Sequence, residues 1–237
     1  MLMPSQFSEP GLYLIFPDGS RMDLTRRRVE DVTEEYLSDP RLIPASMKAA
    51  AEYTPCAICP ERDRARICHA VMPVLPFVEG FEGYLSCDSV KAVYREDEHS
   101  PLAVAETSMQ KALQFISILS LTKYCEVGSS FAPYFKGVNP LMPVEGIADK
   151  VFGNMYLHLQ GDVARVEEEA TLMQEQTFVI TECQVKRLRL ISGSDALANA
   201  FANTHSVALL IFLSIKDRIA ALKEPDGPGR IHGTEAH

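Results

Sequence analysis

The hydrophobic pattern of the N-terminal third predicts short strands and turns. Residues 12–16 (Leu-Tyr-Leu-Ile-Phe) are rich in strand-forming side chains. Residues 21–24 then alternate polar and apolar, as a half-buried return strand would. Between them, residues 17–20 combine a proline, which restricts φ, with a glycine, which accepts a positive φ. We therefore predict a β-hairpin over residues 11–24, and a further strand over residues 90–94.

Apolar positions three and four residues apart predict helices in the C-terminal part of the chain. One pattern begins at residues 100–101 (Ser-Pro), since serine caps helices well and proline suits the first helical position. A second runs from residue 147 to residue 191, with Gly153 and Gly161 as points where it could break, and a third covers residues 196–223. The last two alternate steps of four and three residues, as heptads do, which favours coiled-coil-like packing.

Together these patterns predict an α+β fold with two domains. Residues 1–99 would form a small N-terminal domain with the hairpin and a metal knuckle. Residues 100–224 would form a helical bundle with long, heptad-patterned helices. The polar run at residues 95–99 marks the predicted boundary. Residues 225–237 follow a proline- and glycine-rich stretch and are predicted to be a disordered tail.

The length of the second helical pattern predicts self-association. A continuous helix over 147–191 would extend about 68 Å, longer than the other helices of the bundle can cover. Its remaining apolar stripe predicts a homodimer through helices 147–191 and 196–223, or contact with another protein partner.

Charge and apolar run length argue against two classes of binding partner. The net charge is −9 and both halves of the chain are acidic, which argues against a general nucleic-acid binder. The basic cluster of Arg62, Arg64 and Arg66 is interleaved with acidic residues and is expected to be a solvated face. Apolar runs such as 207–213 are far shorter than the roughly 20 residues of a membrane span. Residues 1–10 do not resemble a secretory signal, so we expect a cytoplasmic protein that binds no membrane.

A group of cysteines forms the strongest chemical motif in the sequence. Cys56 and Cys59 have the C-x2-C spacing that places two thiolates at one corner of a tetrahedral metal site. Cys68 is the predicted third ligand. Cys87 would complete an all-thiolate set, and we favour it over His69 because adjacent side chains usually point apart.

Structural zinc is the metal that we expect these ligands to hold. The 53–68 segment has few large apolar residues, and a closed thiolate site contributes folding free energy directly. Two alternatives stay open: an iron–sulfur cluster on the same thiolates, or a redox pair in which Cys56 attacks and Cys59 resolves. The isolated Cys125 and Cys183 are expected to be small buried side chains without a function.

No catalytic motif in the sequence argues for an enzyme. The chain has no G-x-S-x-G, no P-loop, no dinucleotide-binding glycine fingerprint and no H-E-x-x-H. We therefore expect a non-enzymatic interaction or regulatory protein with a structural zinc site. A redox or iron–sulfur protein that uses the same cysteines is the alternative.

One loop is long enough to have a role of its own. Residues 128–146 hold three prolines and three glycines, with aromatic side chains at Phe131, Tyr134 and Phe135. These aromatics allow an adaptable apolar pocket between the loop and the bundle, for a small ligand or a partner helix. Core packing explains the same residues.

Overall fold

The computed structural model describes residues 4–63, 67–193 and 195–223. It has the predicted α+β architecture, with an antiparallel sheet in the N-terminal half followed by several helices. The tail predicted for residues 225–237 lies outside the described residues.

Four antiparallel strands form the sheet, in the order β2-β1-β3-β4. The strands are β1 (Gly11–Ile15), β2 (Arg21–Thr25), β3 (Ser89–Arg95) and β4 (Ala103–Ser108). β1 and β2 form the predicted hairpin, and Gly19 at its turn has the expected positive φ of 84°. β3 contains the strand predicted for residues 90–94 and pairs with β1.

The chain after residue 100 differs from the prediction. It forms the edge strand β4, which pairs with β3, and helix begins only at Met109. The stretch Ala-Val-Ala-Glu alternates in exposure as an edge strand does, and pairing with β3 satisfies its backbone groups on one side. The sheet therefore continues past residues 95–99, where the sequence predicts a domain boundary.

Seven α-helices complete the described fold. They are α1 (Arg26–Ser38), α2 (Lys48–Ala51), α3 (Met109–Ala112), α4 (Gln114–Leu119), α5 (Val144–His158), α6 (Val163–Leu188) and α7 (Asp195–Lys223). A π-helical turn, Ser120–Tyr124, extends α4, and a 3-10 stretch, Gly128–Phe135, begins the long loop. α7 agrees with the helix predicted for residues 196–223.

The 147–191 pattern is divided between two helices, α5 and α6. Gln160 and Gly161 have φ values of 56° and 78°, which a helix interior does not accept, so the chain turns between them. Asp162 then caps α6 by accepting a hydrogen bond from the Arg165 backbone nitrogen at 3.1 Å. The break occurs at one of the two glycines that the sequence suggested.

Two clusters of buried side chains hold these elements together. The larger joins the sheet, α1 to α4, residues 71–81 and the first turns of α7. The smaller joins the long loop to α5, α6 and the rest of α7. Residues 71–78, expected to be an extended apolar arm, form 3-10 turns inside the larger cluster. Their prolines exclude a long helix but are compatible with short turns, one of which has proline in its first turn.

Helix α7 is also long and apolar enough to cross a membrane by length and composition. The window is Asp195–Leu222, with a mean hydropathy of 1.5. Half of that window is buried inside the fold, and the core helix of a soluble protein meets the same criteria.

The 71–81 segment supplies a direct test of this core. Leu75 is 2% exposed and Leu85, ten residues later, is 55% exposed. We expect Leu75→Ala to lower the free energy of unfolding by about 2–5 kcal/mol, because it removes buried methyl groups and leaves a cavity. Leu85→Ala should change it by less than about 0.5 kcal/mol. Urea denaturation measures both, and equal losses would contradict the described packing.

Candidate metal centre

The first three predicted ligands lie on a loop that is closed at its base. After α2 ends, the backbone nitrogen of Cys59 donates to the Cys56 carbonyl at 3.0 Å and forms a tight turn. The Cys68 backbone nitrogen donates to the Ala51 carbonyl at 2.9 Å, which brings the return of the loop back to α2. Local backbone hydrogen bonds therefore bring Cys56, Cys59 and Cys68 to one end of the fold.

Four cysteines line one small cavity beside this loop. They are Cys56, Cys59, Cys68 and Cys125, and the cavity has a volume of about 40 Å³. Most of its other lining side chains are apolar, among them Ile58, Ile67, Ala70, Tyr124, Val127 and Ile180. All six cysteines of the chain are free thiols. Three of the predicted ligands thus share this cavity with a cysteine that the sequence reasoning had left without a function.

The structure locates the two candidates for the fourth ligand differently. Cys87 is exposed in the turn before β3 and does not line the cavity. Its neighbour Ser86 instead contacts α7, with the Ser86 nitrogen 2.7 Å from Asp195 Oδ1. His69 does line the cavity, with its Nδ1 4.0 Å from Glu126 Oε1 on the outer side.

Cys125 reaches the cavity because the chain turns sharply after the π-helical turn. The Ser129 nitrogen donates to the Cys125 carbonyl at 2.8 Å, and a Cβ on Gly128 would lie 2.5 Å from the Leu121 carbonyl oxygen. Glycine is therefore needed for this close approach. Burial raises the pKa of the Cys125 thiol to about 11, although the backbone N–H groups of Gly128 and Val127 donate to its sulfur and oppose the rise.

Cys183 on α6 is a fifth thiol, and it is paired with Cys56. The hydrogen bond between the two thiols and burial raise the pKa of Cys56, whereas that bond, with help from Arg187, lowers the pKa of Cys183 to about 6. When protonated, Cys183 donates to the Thr54 carbonyl, with a sulfur–oxygen distance of 3.7 Å. The direction at Cys56 is opposite to that required of the attacking thiol in a redox pair.

A buried arginine lies against the same cavity. Arg187 on α6 is 1% exposed and donates to the carbonyls of Ala50 at 2.8 Å and Thr54 at 3.0 Å. Its Nε has no hydrogen-bond partner, and it forms no ion pair with any carboxylate of the described residues. The cavity therefore has a buried positive charge beside it without a carboxylate to balance it.

A second polar side chain of α6 points to the sulfur atoms. Gln184 is fully buried, and its Nε2 donates to Cys68 Sγ at 3.3 Å. Its Oε1 has no partner. Donors directed at sulfur favour the ionised form of a thiol, because they stabilise negative charge there.

The cysteines line the cavity without forming a complete ligand set. Among residues 4–63, 67–193 and 195–223, no group of three or more His, Cys, Asp or Glu side chains is arranged so that it could hold a metal ion. The thiols of the loop would have to move inward to coordinate one.

Fold and site together define an α+β protein with a buried, cysteine-lined cavity between its N-terminal loop and its helices. The chain belongs to the family described as "Domain of unknown function (DUF6901)", whose model matches residues 16–225. That match includes all six cysteines and extends from the hairpin to the end of α7. No curated protein and no solved structure matches the chain.

Arg187 provides a test of how the loop is attached. We expect Arg187→Ala to lower the free energy of unfolding by about 3 kcal/mol, since it leaves buried carbonyls on the loop without their charged donor. Arg189, two residues later, is exposed, and Arg189→Ala should change it by less than about 0.5 kcal/mol. Urea denaturation of both variants measures the difference, and a stable Arg187→Ala protein would contradict this role.

Proposed function

We propose that the protein binds one zinc ion through Cys56, Cys59, Cys68 and Cys125, and that the ion stabilises a non-enzymatic interaction module. The observation on which this rests is that four thiols and the unpaired guanidinium of Arg187 border a single cavity. The proposal keeps three of the ligands expected from sequence and replaces Cys87 with Cys125.

Charge balance supports an anionic metal centre at this position. Four thiolates around Zn²⁺ have a net charge of −2, which is costly to bury without a counter-charge. Arg187 would supply part of that charge, and Gln184 donates to one of the sulfurs already. The backbone N–H groups of Gly128 and Val127 would do the same at Cys125. Without a bound cation these donors would face neutral thiols, for which an unpaired buried guanidinium has no electrostatic reason.

Cavity size favours zinc over an iron–sulfur cluster. A volume of 40 Å³ is room for about three water-sized spheres. A four-iron, four-sulfur core contains eight atoms, and its insertion would require much larger displacement of Ile58, Ile67 and Ile180 than a single ion would. The pKa direction at Cys56 likewise opposes the redox alternative.

A closed set of four thiolates would make the ion structural. Such a site has no open position for a substrate, so its chemistry is to hold the chain in place. Here it would join the loop of residues 52–68 to the turn after residues 120–124, two parts of the chain that are distant in sequence. Both ends of the metal knuckle would then be anchored, one by the ion and one by Arg187.

Zinc content of purified variants tests the ligand set. We expect about one zinc per chain in the wild-type protein, and a strong loss of zinc in Cys59→Ser and Cys125→Ser because a four-ligand site loses one of its thiolates. Cys87→Ser is the matched control and should keep its zinc. Mass spectrometry under native conditions, with elemental analysis of the same samples, measures the stoichiometry.

Three results would count against this ligand set. A metal-free wild-type protein purified in the presence of zinc would remove the site altogether. Loss of zinc in Cys87→Ser, with retention in Cys125→Ser, would restore the ligand set expected from sequence. A brown sample with visible absorbance would replace zinc with an iron–sulfur cluster.

A strip of exposed leucines supports self-association as the use of the helical part. Leu209, Leu210 and Leu213 of α7 are 38–47% exposed and lie on one side of the helix, where the heptad-like steps of the sequence continue. A second copy of α7 would cover this strip in a coiled-coil-like contact. The homodimer expected from sequence would then involve α7 more than the divided 147–191 pattern.

Light scattering tests the dimer. We expect a mass twice the 26.3 kDa of one chain, and a monomer in Leu210→Glu, because a carboxylate in the middle of the strip would have to lose its hydration on association. Leu42→Glu, at a leucine that is exposed elsewhere on the surface, should remain dimeric. A wild-type mass equal to one chain at high concentration would refute self-association.

A further inference from the structure

A second and larger cavity lies between the sheet, α4 and the long loop. This cleft has a volume of about 600 Å³, within the range of small-molecule sites. Its walls come from the end of β3, from α4 with the π-helical turn, and from residues 129–140. None of the cysteines lines it, so it is independent of the proposed zinc site.

One side of the cleft is cationic in a chain that is acidic as a whole. Arg26, Lys123 and Lys136 line it, with Glu96 as its single acidic residue. Lys123 is neutralised by Glu30, whose Oε1 lies 2.6 Å from its Nζ. Against a net charge of −9, this excess of positive charge would concentrate anions at the cleft.

Two of these cations have no ionic partner. Neither Arg26 nor Lys136 forms an ion pair with a carboxylate of the described residues. Arg26 donates from Nη2 to the hydroxyl of the buried Tyr94 at 3.2 Å, which orients the guanidinium. Its Nε is buried and has no hydrogen-bond partner. A buried donor of this kind usually has an acceptor, and the described part of the chain supplies none.

The remaining walls of the cleft are apolar. Phe115 and Leu119 of α4 are buried side chains that line it, and Phe135 and Val138 face them from the loop. The aromatic segment that suggested an adaptable pocket from sequence therefore lines a real cavity. An occupant must match both an apolar wall and a cationic one.

We propose that this cleft binds a small apolar carboxylate, with Arg26 and Lys136 as the partners of the carboxylate. The free edge of a guanidinium matches the two oxygens of a carboxylate, and charge-assisted bonds of this kind are about twice as strong as neutral ones. Phe115, Phe135 and Val138 would cover the hydrocarbon part.

Calorimetric titration of the full chain with decanoate tests the proposal. We expect saturable binding of one decanoate per chain. Arg26→Gln and Lys136→Gln should each weaken it roughly tenfold, because each removes a charge-assisted contact. The matched controls Arg27→Gln and Lys216→Gln remove exposed charges outside the cleft and should leave the affinity unchanged. Decanol should bind at least roughly tenfold more weakly than decanoate.

Further arms separate the alternatives. Ala132→Trp adds bulk to the loop wall of the cleft and should abolish binding. Circular dichroism confirms that each variant is folded, and if Arg26→Gln unfolds, the exposed Lys136→Gln decides alone. Absence of binding up to about 1 mM decanoate would overturn the proposal. So would equal affinity for decanol, equal affinity for inorganic phosphate, or equal weakening by the control substitutions.

Discussion

The hydrogen bonds from the buried guanidinium of Arg187 to the loop after α2 are the interaction on which the site depends. They join α6, in the C-terminal half, to the carbonyls of Ala50, Ala51 and Thr54 in the N-terminal half. A fully buried cation is costly unless its donors are satisfied, so these carbonyls and the charge hold each other in place. The loop that bears Cys56 is thereby fixed against α6, and its thiol meets that of Cys183.

This contact also explains why the cysteine-lined cavity lies where it does. The loop contributes three thiols, the turn after the π-helical segment contributes Cys125, and α6 covers them with Gln184 and Arg187. Each side of the cavity comes from a different part of the chain. A bound zinc ion would add a second tie between these parts, and the cationic side chain beside it would make the closed thiolate set less costly to bury.

The two proposed sites divide the molecule by chemistry. The small cavity combines thiols with one buried cation and suits a metal ion, whereas the 600 Å³ cleft combines aromatic walls with unpaired cations and suits an organic anion. The segment from α4 to residue 140 contributes to both, since Cys125 lies between the residues that line the cleft. Zinc binding would therefore also stabilise one wall of the cleft, which connects structure at one site to recognition at the other.

The sequence by itself determined the elements whose pattern is local. Alternation and a proline-glycine turn were enough for the β1–β2 hairpin, three-four spacing for α7, and a short C-x2-C motif for the turn that holds Cys56 and Cys59, because each depends on residues close together in the chain. Tertiary structure alone decided the rest. β4 became a strand because β3 offered it an edge, and Cys125 joined the cavity from more than fifty residues beyond Cys68. No spacing rule reports such a contact, since it depends on how separate elements pack.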